Sequence, residues 1–223
     1  MHMRILVDLD CVLADFVAGA AAAWGLTIKD LMEEWPAGTY GMHVPTGRAL
    51  LRLRGAACPP ACPPGCVVCA LAGRDPPGTM TEAEWWSRIN GTAEFWEHLE
   101  PLPWALDLIA LVRSLTDDWW VVTAPSRCVH SLAGKQRWCR EFFGVSHFDQ
   151  LVPTPYKHLL AKPGVLLIDD YDANCSSFVE HGGEALTFPA HHNRLHRHKG
   201  DPMAFIRSTL GSMRRASPRS DGR

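Results

Sequence analysis

The sequence lacks any stretch of the roughly 20 consecutive apolar residues that a membrane-spanning helix requires. The apolar segment at residues 11–24 is short, and Asp15 interrupts it. That segment has no basic region before it and no obvious cleavage site after it, so we do not expect a signal peptide. We therefore expect a cytoplasmic protein, in which cysteines are thiols or metal ligands more often than disulfides.

The sequence also lacks an excess of charge of either sign, and it has no internal repeat. Its 22 basic and 24 acidic residues give a net charge of -2, which gives no sign of nucleic-acid or membrane binding. With 223 residues, 47% of them hydrophobic and 21% charged, the chain has the composition of a globular domain with a sizeable core.

Four apolar, mostly β-branched runs predict buried parallel strands at residues 5–8, 119–123, 165–169 and 185–188. Helical spacing of apolar residues predicts helices at residues 102–115, 130–143 and 174–181, with Gly144 as a C-cap of the second. Strands that alternate with helices indicate an α/β fold with a doubly wound parallel sheet.

Residues 17–99 differ in character from the rest, because they hold several tryptophans, helical patterns and a Pro/Cys-rich centre. We interpret them as a small, mainly helical cap inserted after the first strand. The catalytic core then comprises residues 1–16 and 100–210, and residues 211–223 are expected to form a disordered tail.

Acidic and hydroxyl side chains stand at the ends of three predicted strands, in "LVDLD", "VVTAPS" and "LLIDD". Ligands of an open parallel sheet bind at the carboxyl ends of its strands, so Asp8, Asp10, Thr123, Asp169 and Asp170 should meet at one edge. Single aspartates at strand ends are often turn residues or helix N-caps. Four carboxylates at one edge would repel each other without a cation, and their hard oxygens suit Mg²⁺.

These stretches resemble the haloacid dehalogenase superfamily, whose first motif is a strand followed by DxD, here Asp8 to Asp10. Within that superfamily the chain is similar to the 5'(3')-deoxyribonucleotidases, in "VDLDCVLADF", "FWEHLEPLP", "VVTAPS", "GKQRW", "LLIDD" and "HHNR". The similarity is weak in the cap. It implies a fold with a Rossmann-like core and a Mg²⁺-dependent phosphatase.

The resemblance implies a role for each of these residues. Asp8 would be the nucleophile that forms an aspartyl-phosphate, and Asp10 would be the general acid and base. Mg²⁺ would bind a carboxylate oxygen of Asp8, the main-chain carbonyl of Asp10 and the carboxylate of Asp170, with Asp169 beside them. Thr123 would hold phosphoryl oxygens.

The superfamily also uses a lysine, for which the sequence offers Lys135, Lys157 and Lys162. We choose Lys135, in "GKQRW", to neutralise the nucleophile and the phosphate, and we interpret the other two as solvated charges. Cys11 stands where the superfamily usually has Gly, which we expect to be tolerated. Ala124 stands where nucleotidases often have Ser, and Arg127 lies near a basic residue of the family.

The segment "CPPACPPGCVVC" places Cys58, Cys62, Cys66 and Cys69 within twelve residues. Four thiolates this close suggest a structural Zn²⁺ site, although the spacing is not that of common zinc knuckles. Free thiols, disulfides and a redox role remain alternatives.

Phe16 matches a family aromatic that contacts base or sugar, and Trp35 and Tyr40 are further candidates for stacking on a base. Core packing is the alternative for each tryptophan. The histidine-rich "HHNRLHRH" segment could be a metal site, a family-like His-Asn-Arg stretch or a solvated basic loop.

The sequence therefore predicts a phosphoric monoester hydrolase acting on (deoxy)nucleoside 5'-monophosphates. Its expected partner is a small nucleotide substrate. We expect no binding to membranes or nucleic acid, and the sequence leaves open whether the protein forms a homodimer. The alternatives are a superfamily phosphatase for another small phosphoester, such as a phosphosugar, and a non-catalytic zinc-bearing binding module.

Overall fold

A computed structural model describes residues 3–54, 66–72, 80–91 and 93–216 of the protein. Its strands are β1 (Arg4–Val7), β2 (Trp119–Thr123), β3 (Leu151–Pro153), β4 (Val165–Asp169) and β5 (Glu184–Thr187). The first helices along the chain are α1 (Phe16–Ala23), α2 (Ile28–Met32), α3 (His43–Arg54), α4 (Val67–Ala72), α5 (Glu82–Ile89) and α6 (Glu94–Glu97). They are followed by α7 (Ala105–Leu115), α8 (Val129–Phe143), α9 (Asp172–Glu180) and α10 (Pro202–Ala216), with 3₁₀ turns at Lys157–Leu160 and His196–His198.

The five strands form one parallel sheet in the order β3-β2-β1-β4-β5, so β1 lies at its centre. Alternate residues of the strands enter two separate apolar clusters. Ile5 and Val7 face a large cluster that includes α7, α8 and α10, whereas Leu6 and Leu167 face a smaller one built on Phe178 of α9. Helices therefore cover both faces, and the predicted doubly wound sheet is confirmed.

Strand β3 was not predicted from the sequence. It has only three half-buried or exposed residues and ends in Pro153, so it lacks the long apolar run that marks the other strands. Its partner is β2, with Val121 opposite Leu151. Because β3 is parallel to the rest, the chain that leaves it starts from the same carboxyl edge as the acidic residues.

The predicted helices agree with the observed ones except at their ends. Helix α7 begins three residues later than predicted, after a turn in which the N–H of Ala105 donates to the carbonyl of Leu102. Helix α8 ends at Gly144, whose φ of 64° is the left-handed C-cap that the sequence indicated. Helix α10 continues to Ala216, so the first six residues of the predicted tail are helical.

The described residues between β1 and Pro101 lie largely in helices α1–α6. Asp15 caps the first of these helices, since its carboxylate accepts a hydrogen bond from the N–H of Ala18 at 2.9 Å. Trp24, Trp35, Trp85 and Trp96 of this segment are buried. Among the described residues, no helix is both long and apolar enough to cross a membrane.

Helix α8 approaches α6 closely at Gly134. A Cβ atom at this position would lie 2.5 Å from the carbonyl oxygen of Ala93 and 2.5 Å from the Cβ of Trp96. Only a hydrogen atom fits there, so Gly134 allows α8 to pack closely against α6. This packing also fixes the position of the next residue, Lys135.

We expect Gly134→Ala to lower the free energy of unfolding by about 1–3 kcal/mol, because the added methyl group forces the two helices apart. Chemical denaturation checks this value. The control is Gly200→Ala, since no described atom lies within 4 Å of a Cβ there. Equal stability of the two variants would contradict this account of the packing.

Candidate active site

Three buried carboxylates lie together at the carboxyl ends of the two central strands. Asp8 directly follows β1. Asp169 is the last residue of the neighbouring strand β4, and Asp170 follows it. Each offers one oxygen within 4.8 Å of the others, and none is more than 7% exposed. The structure thus brings together three of the four aspartates that the sequence predicted to meet, in a donor set that could hold a divalent cation.

The ammonium group of Lys157 lies between two of these carboxylates. Its Nζ is 2.6 Å from Oδ1 of Asp8 and 2.6 Å from Oδ2 of Asp169, and the side chain is 2% exposed. The prediction that Lys157 is a solvated charge is therefore wrong, whereas Lys162 is indeed exposed. Lys157 lies four residues after β3, at the carboxyl edge of the sheet. Only recognition of β3 in the sequence could have placed Lys157 there, and β3 was not predicted.

Lys135 is also buried but belongs to a different carboxylate. Its Nζ lies 2.5 Å from Oδ2 of Asp10 and donates hydrogen bonds at 2.9 Å to the hydroxyl of Thr123 and the carbonyl of Ala124. The predicted contact of Lys135 with the nucleophile is wrong, because Lys157 occupies that place beside Asp8. Lys135 instead fixes Asp10 to the end of β2.

Burial dominates the electrostatics of the cluster. It raises the pKa of Asp8 to about 6, although the positive charge of Lys157 acts in the opposite direction. Burial likewise raises the pKa of Asp169. Burial alone would lower the pKa of Lys157, but the charges of Asp8 and Asp169 outweigh it and raise that pKa above its usual value.

The two adjacent aspartates after β4 have different partners. Asp169 accepts hydrogen bonds from Lys157, from the N–H of Tyr171 at 2.8 Å and from the side-chain amide of Asn174. Asp170 has Nε2 of His192 2.6 Å from its Oδ2. Asp169 is thus engaged within the protein, which leaves Asp170 as the better placed of the two for a cation.

A cavity of about 400 Å³ opens above the carboxylates, within the size range of small-molecule sites. Asp8, Asp10, Asp170 and Lys157 line its floor. The predicted substrate-binding residues Phe16, Trp35, Tyr40 and Ala124 line it as well, together with Trp85, Trp86 and Trp96. Arg127 is exposed and does not line the cavity.

The aromatic residues of the cavity differ in how far they are free to contact a ligand. Trp35 is 3% exposed and its ring stacks on His192, whereas Tyr40 is 67% exposed and packs against Tyr171 at 4.3 Å. Phe16 belongs to a group of rings with Trp85, Trp86, Phe95 and Trp96. Tyr40 therefore presents the most open aromatic surface of these residues.

Cys11 has a φ of 61°, in the left-handed region that favours glycine. It is the position at which the superfamily usually has Gly, and the backbone has kept that conformation with a thiol in place. Burial, reinforced by the nearby carboxylates, raises the pKa of this thiol well above its usual value. A thiolate at Cys11 is therefore disfavoured.

Two of the four clustered cysteines, Cys58 and Cys62, lie outside the described residues. Cys66 is half-buried at the start of α4, and Cys69 is exposed within it. The zinc site stays a prediction.

The histidine-rich segment is a solvated loop only in part, because Arg194, Arg197 and His198 are exposed but its start is not. His192 and Asn193 are 5% and 2% exposed. The amide of Asn193 donates hydrogen bonds of 2.7 Å to the carbonyls of Asp170 and Phe188. This segment therefore supports the backbone that carries Asp170, and among the described residues the candidate metal group comprises aspartates alone.

No protein-family model matches the chain. The chain is 28% identical over 195 residues to the human cytosolic 5'(3')-deoxyribonucleotidase, covering 86% of this chain and 82% of that protein. It is 26% identical over 206 residues to the human mitochondrial 5'(3')-deoxyribonucleotidase, covering 86% of this chain and 72% of the relative. The resemblance to the haloacid dehalogenase superfamily is confirmed.

Solved structures of the superfamily are similar to this chain at lower identity. A haloacid dehalogenase-like hydrolase of Streptococcus pneumoniae is 16% identical, with a TM-score of 0.48 and coverage of 93% of this chain and 98% of that one. The similarity to the two human enzymes and the buried aspartates indicate a resemblance to hydrolases of the haloacid dehalogenase superfamily.

We expect Lys157→Met to lower the free energy of unfolding by about 3 kcal/mol in metal-free buffer, because it leaves two buried carboxylates facing each other without a cation. Added Mg²⁺ should restore part of this loss, since a ligand that binds only the folded state stabilises it. Denaturant titrations with and without Mg²⁺ measure both effects.

The matched control is Lys162→Met, which removes an exposed lysine close by and should change stability by less than about 0.5 kcal/mol. If Lys157→Met were no more destabilising than this control, Lys157 would not be the residue that neutralises the carboxylates.

Proposed function

We propose that the protein is a Mg²⁺-dependent phosphatase that hydrolyses deoxyribonucleoside 5'-monophosphates through an aspartyl-phosphate on Asp8. The observation that carries this proposal is the position of Asp8. Its carboxylate lies at the floor of an aromatic cavity, against the ammonium of Lys157 and beside Asp170.

Asp8 acts as the nucleophile in the first step. One of its carboxylate oxygens forms a bond to phosphorus as the bond from phosphorus to the ester oxygen breaks. Lys157 reduces the repulsion between the anionic carboxylate and the anionic phosphate, because its charge lies 2.6 Å from Asp8.

Asp10 transfers the protons. It protonates the leaving ester oxygen, then takes a proton from the water that attacks phosphorus and releases inorganic phosphate from Asp8. Lys135 and Asp10 are 2.5 Å apart through Oδ2. In the part of the chain that the structure describes, Oδ1 of Asp10 is buried and has no hydrogen-bond partner, so no other protein group competes for it.

The chemistry of the donor set fits Mg²⁺. Asp8 and Asp170, with the main-chain carbonyl of Asp10, offer hard oxygen ligands, and the single charge of Lys157 does not balance three buried carboxylates. When bound, Mg²⁺ would draw charge from the phosphoryl oxygens. Thr123, which was predicted to hold those oxygens, is fully buried and does not line the cavity; its hydroxyl accepts a hydrogen bond from Lys135.

The cavity wall favours a nucleotide over a phosphosugar. Aromatic rings suit a planar base, whereas a sugar would call for a mainly polar lining. The wall contains Phe16, Tyr40 and Trp86 among other rings, and two curated relatives are named deoxyribonucleotidases.

We expect the protein with Mg²⁺ to release phosphate from deoxyribonucleoside monophosphates in preference to ribonucleotides and sugar phosphates. Asp8→Asn should reduce this release by at least about 10³-fold, because the amide cannot replace the carboxylate nucleophile. Steady-state phosphate assays over the panel measure both expectations. The control is Asp149→Asn, since the side chain of Asp149 is 80% exposed.

The outcomes separate the chemistry from the substrate. If phosphate were released only from sugar phosphates, and Asp8→Asn abolished this release, the mechanism would stand but the proposed nucleotide substrate would be wrong. Release that persists in Asp8→Asn would reject Asp8 as nucleophile. The absence of release from every compound would favour the non-catalytic binding module.

We expect Tyr40→Ala to raise the KM for a deoxyribonucleotide about tenfold, in line with about 1–3 kcal/mol for stacking of one base on an aromatic ring. Acetyl phosphate, which has no base, should keep its KM. Tyr156→Ala is the matched control, because Tyr156 is 61% exposed but does not line the cavity. An equal rise in KM for both phosphates would show that Tyr40 does not contact the base.

A further inference from the structure

A segment of the inserted cap is joined to the loop that supports Asp170. The carbonyl of Trp35 lies 2.8 Å from Nε2 of His191, and the N–H of Gly38 donates to the carbonyl of His191 at 2.8 Å. These contacts join parts of the chain more than 150 residues apart in sequence. They fix residues 35–40 of the cap against residues 190–193 of the core.

The ring of Trp35 is engaged where these two segments meet. The ring stacks on the imidazole of His192, with centroids 5.9 Å apart and planes at 9°. Its indole N–H donates to the carbonyl of Thr39 at 2.8 Å, and the side chain is almost fully buried. The ring and the polar atom of Trp35 are therefore engaged in contacts within the protein.

His192 carries the contact on to the carboxylate cluster. Its side chain is 4% exposed, and its Nε2 lies 2.6 Å from Oδ2 of Asp170. Among the described residues this nitrogen has no aligned hydrogen-bond partner, so Asp170 is the polar group that it faces. The amide of Asn193 holds the main-chain carbonyl of the same aspartate at 2.7 Å.

The contact restrains the carboxylate of Asp170. His192 meets one of its oxygens, Oδ2, and so limits rotation of the carboxylate that forms the cluster with Asp8 and Asp169. Residues that orient a metal-binding carboxylate in this way typically change metal affinity when they are replaced.

We propose that His192 is a positioning residue that orients Asp170 toward the cation site, and that Trp35 of the cap holds His192 in place. This inference rests on the proposed function for the identity of the cation, but it concerns binding and not turnover. It gives Trp35 a supporting role behind the metal site, in contrast to the base-stacking role that the sequence suggested.

The test measures binding of Mn²⁺ to the full chain without nucleotide, by the electron paramagnetic resonance signal of free Mn²⁺, with Mg²⁺ as competitor. We expect His192→Ala to raise the Mn²⁺ dissociation constant about tenfold or more, as is typical for such supporting residues. His192→Gln should remain within about threefold of the original protein, because its amide N–H can reach the same oxygen.

Trp35 is tested in the same assay. Trp35→Ala should raise the dissociation constant about fivefold, at the lower end of effects transmitted through a supporting residue, and Trp35→Phe should largely preserve it. The control is His181→Gln, since His181 is exposed at the end of α9 and its ring contacts the carbonyl of Ser177. Circular dichroism establishes that each variant is folded.

Unchanged Mn²⁺ affinity in folded His192→Ala and Trp35→Ala would overturn the proposal, as would a protein that binds no Mn²⁺ at all. A rise in nucleotide KM without a change in Mn²⁺ affinity would also overturn it and return Trp35 to base stacking. If the protein binds Mn²⁺ but hydrolyses no nucleotide, the proposed function fails, and the dissociation constants of the variants still decide the role of His192.

Discussion

The structure depends on one electrostatic constraint, the burial of three carboxylates at the ends of its two central strands. Charges of like sign in a poorly solvated place repel each other, and burial alone disfavours each ionised form. Lys157 offsets part of this cost through its contacts with Asp8 and Asp169. The remaining negative charge is the physical basis for proposing that a cation binds among these carboxylates.

The site is shared between the core and the inserted segment. The core supplies the polar groups, because β1, β2 and β4 end side by side and present Asp8, Thr123 and Asp169 at one edge. The insertion supplies the wall above them. Trp96 illustrates the joint construction, since it packs beneath Gly134 of α8 and its ring lies 4.9 Å from Nζ of Lys135. Packing between the insertion and α8 therefore fixes a charge in the site.

The residue types at the strand ends could be predicted from the sequence, because long apolar runs reveal buried strands and the following residue lies at the edge of the sheet. The pairing of the charges could not. β3 has only three residues and a terminal proline, so its pattern is indistinguishable from a loop. Without β3, nothing in the sequence placed Lys157 at the carboxyl edge, and Lys135 was assigned the contact that Lys157 makes.

Long-range contacts were beyond sequence reasoning for a more general reason. Spacing rules relate residues within one helix or strand, whereas Trp35 meets His192, and Asn193 supports Asp170, through the tertiary fold. A tryptophan in a cap suggests stacking on a ligand by its chemistry alone, and only its burial indicates otherwise. The different roles of Asp169 and Asp170 also depend on tertiary contacts. Their sequence positions are similar, but Lys157, Tyr171 and Asn174 contact the carboxylate of Asp169, which leaves Asp170 better placed for a cation.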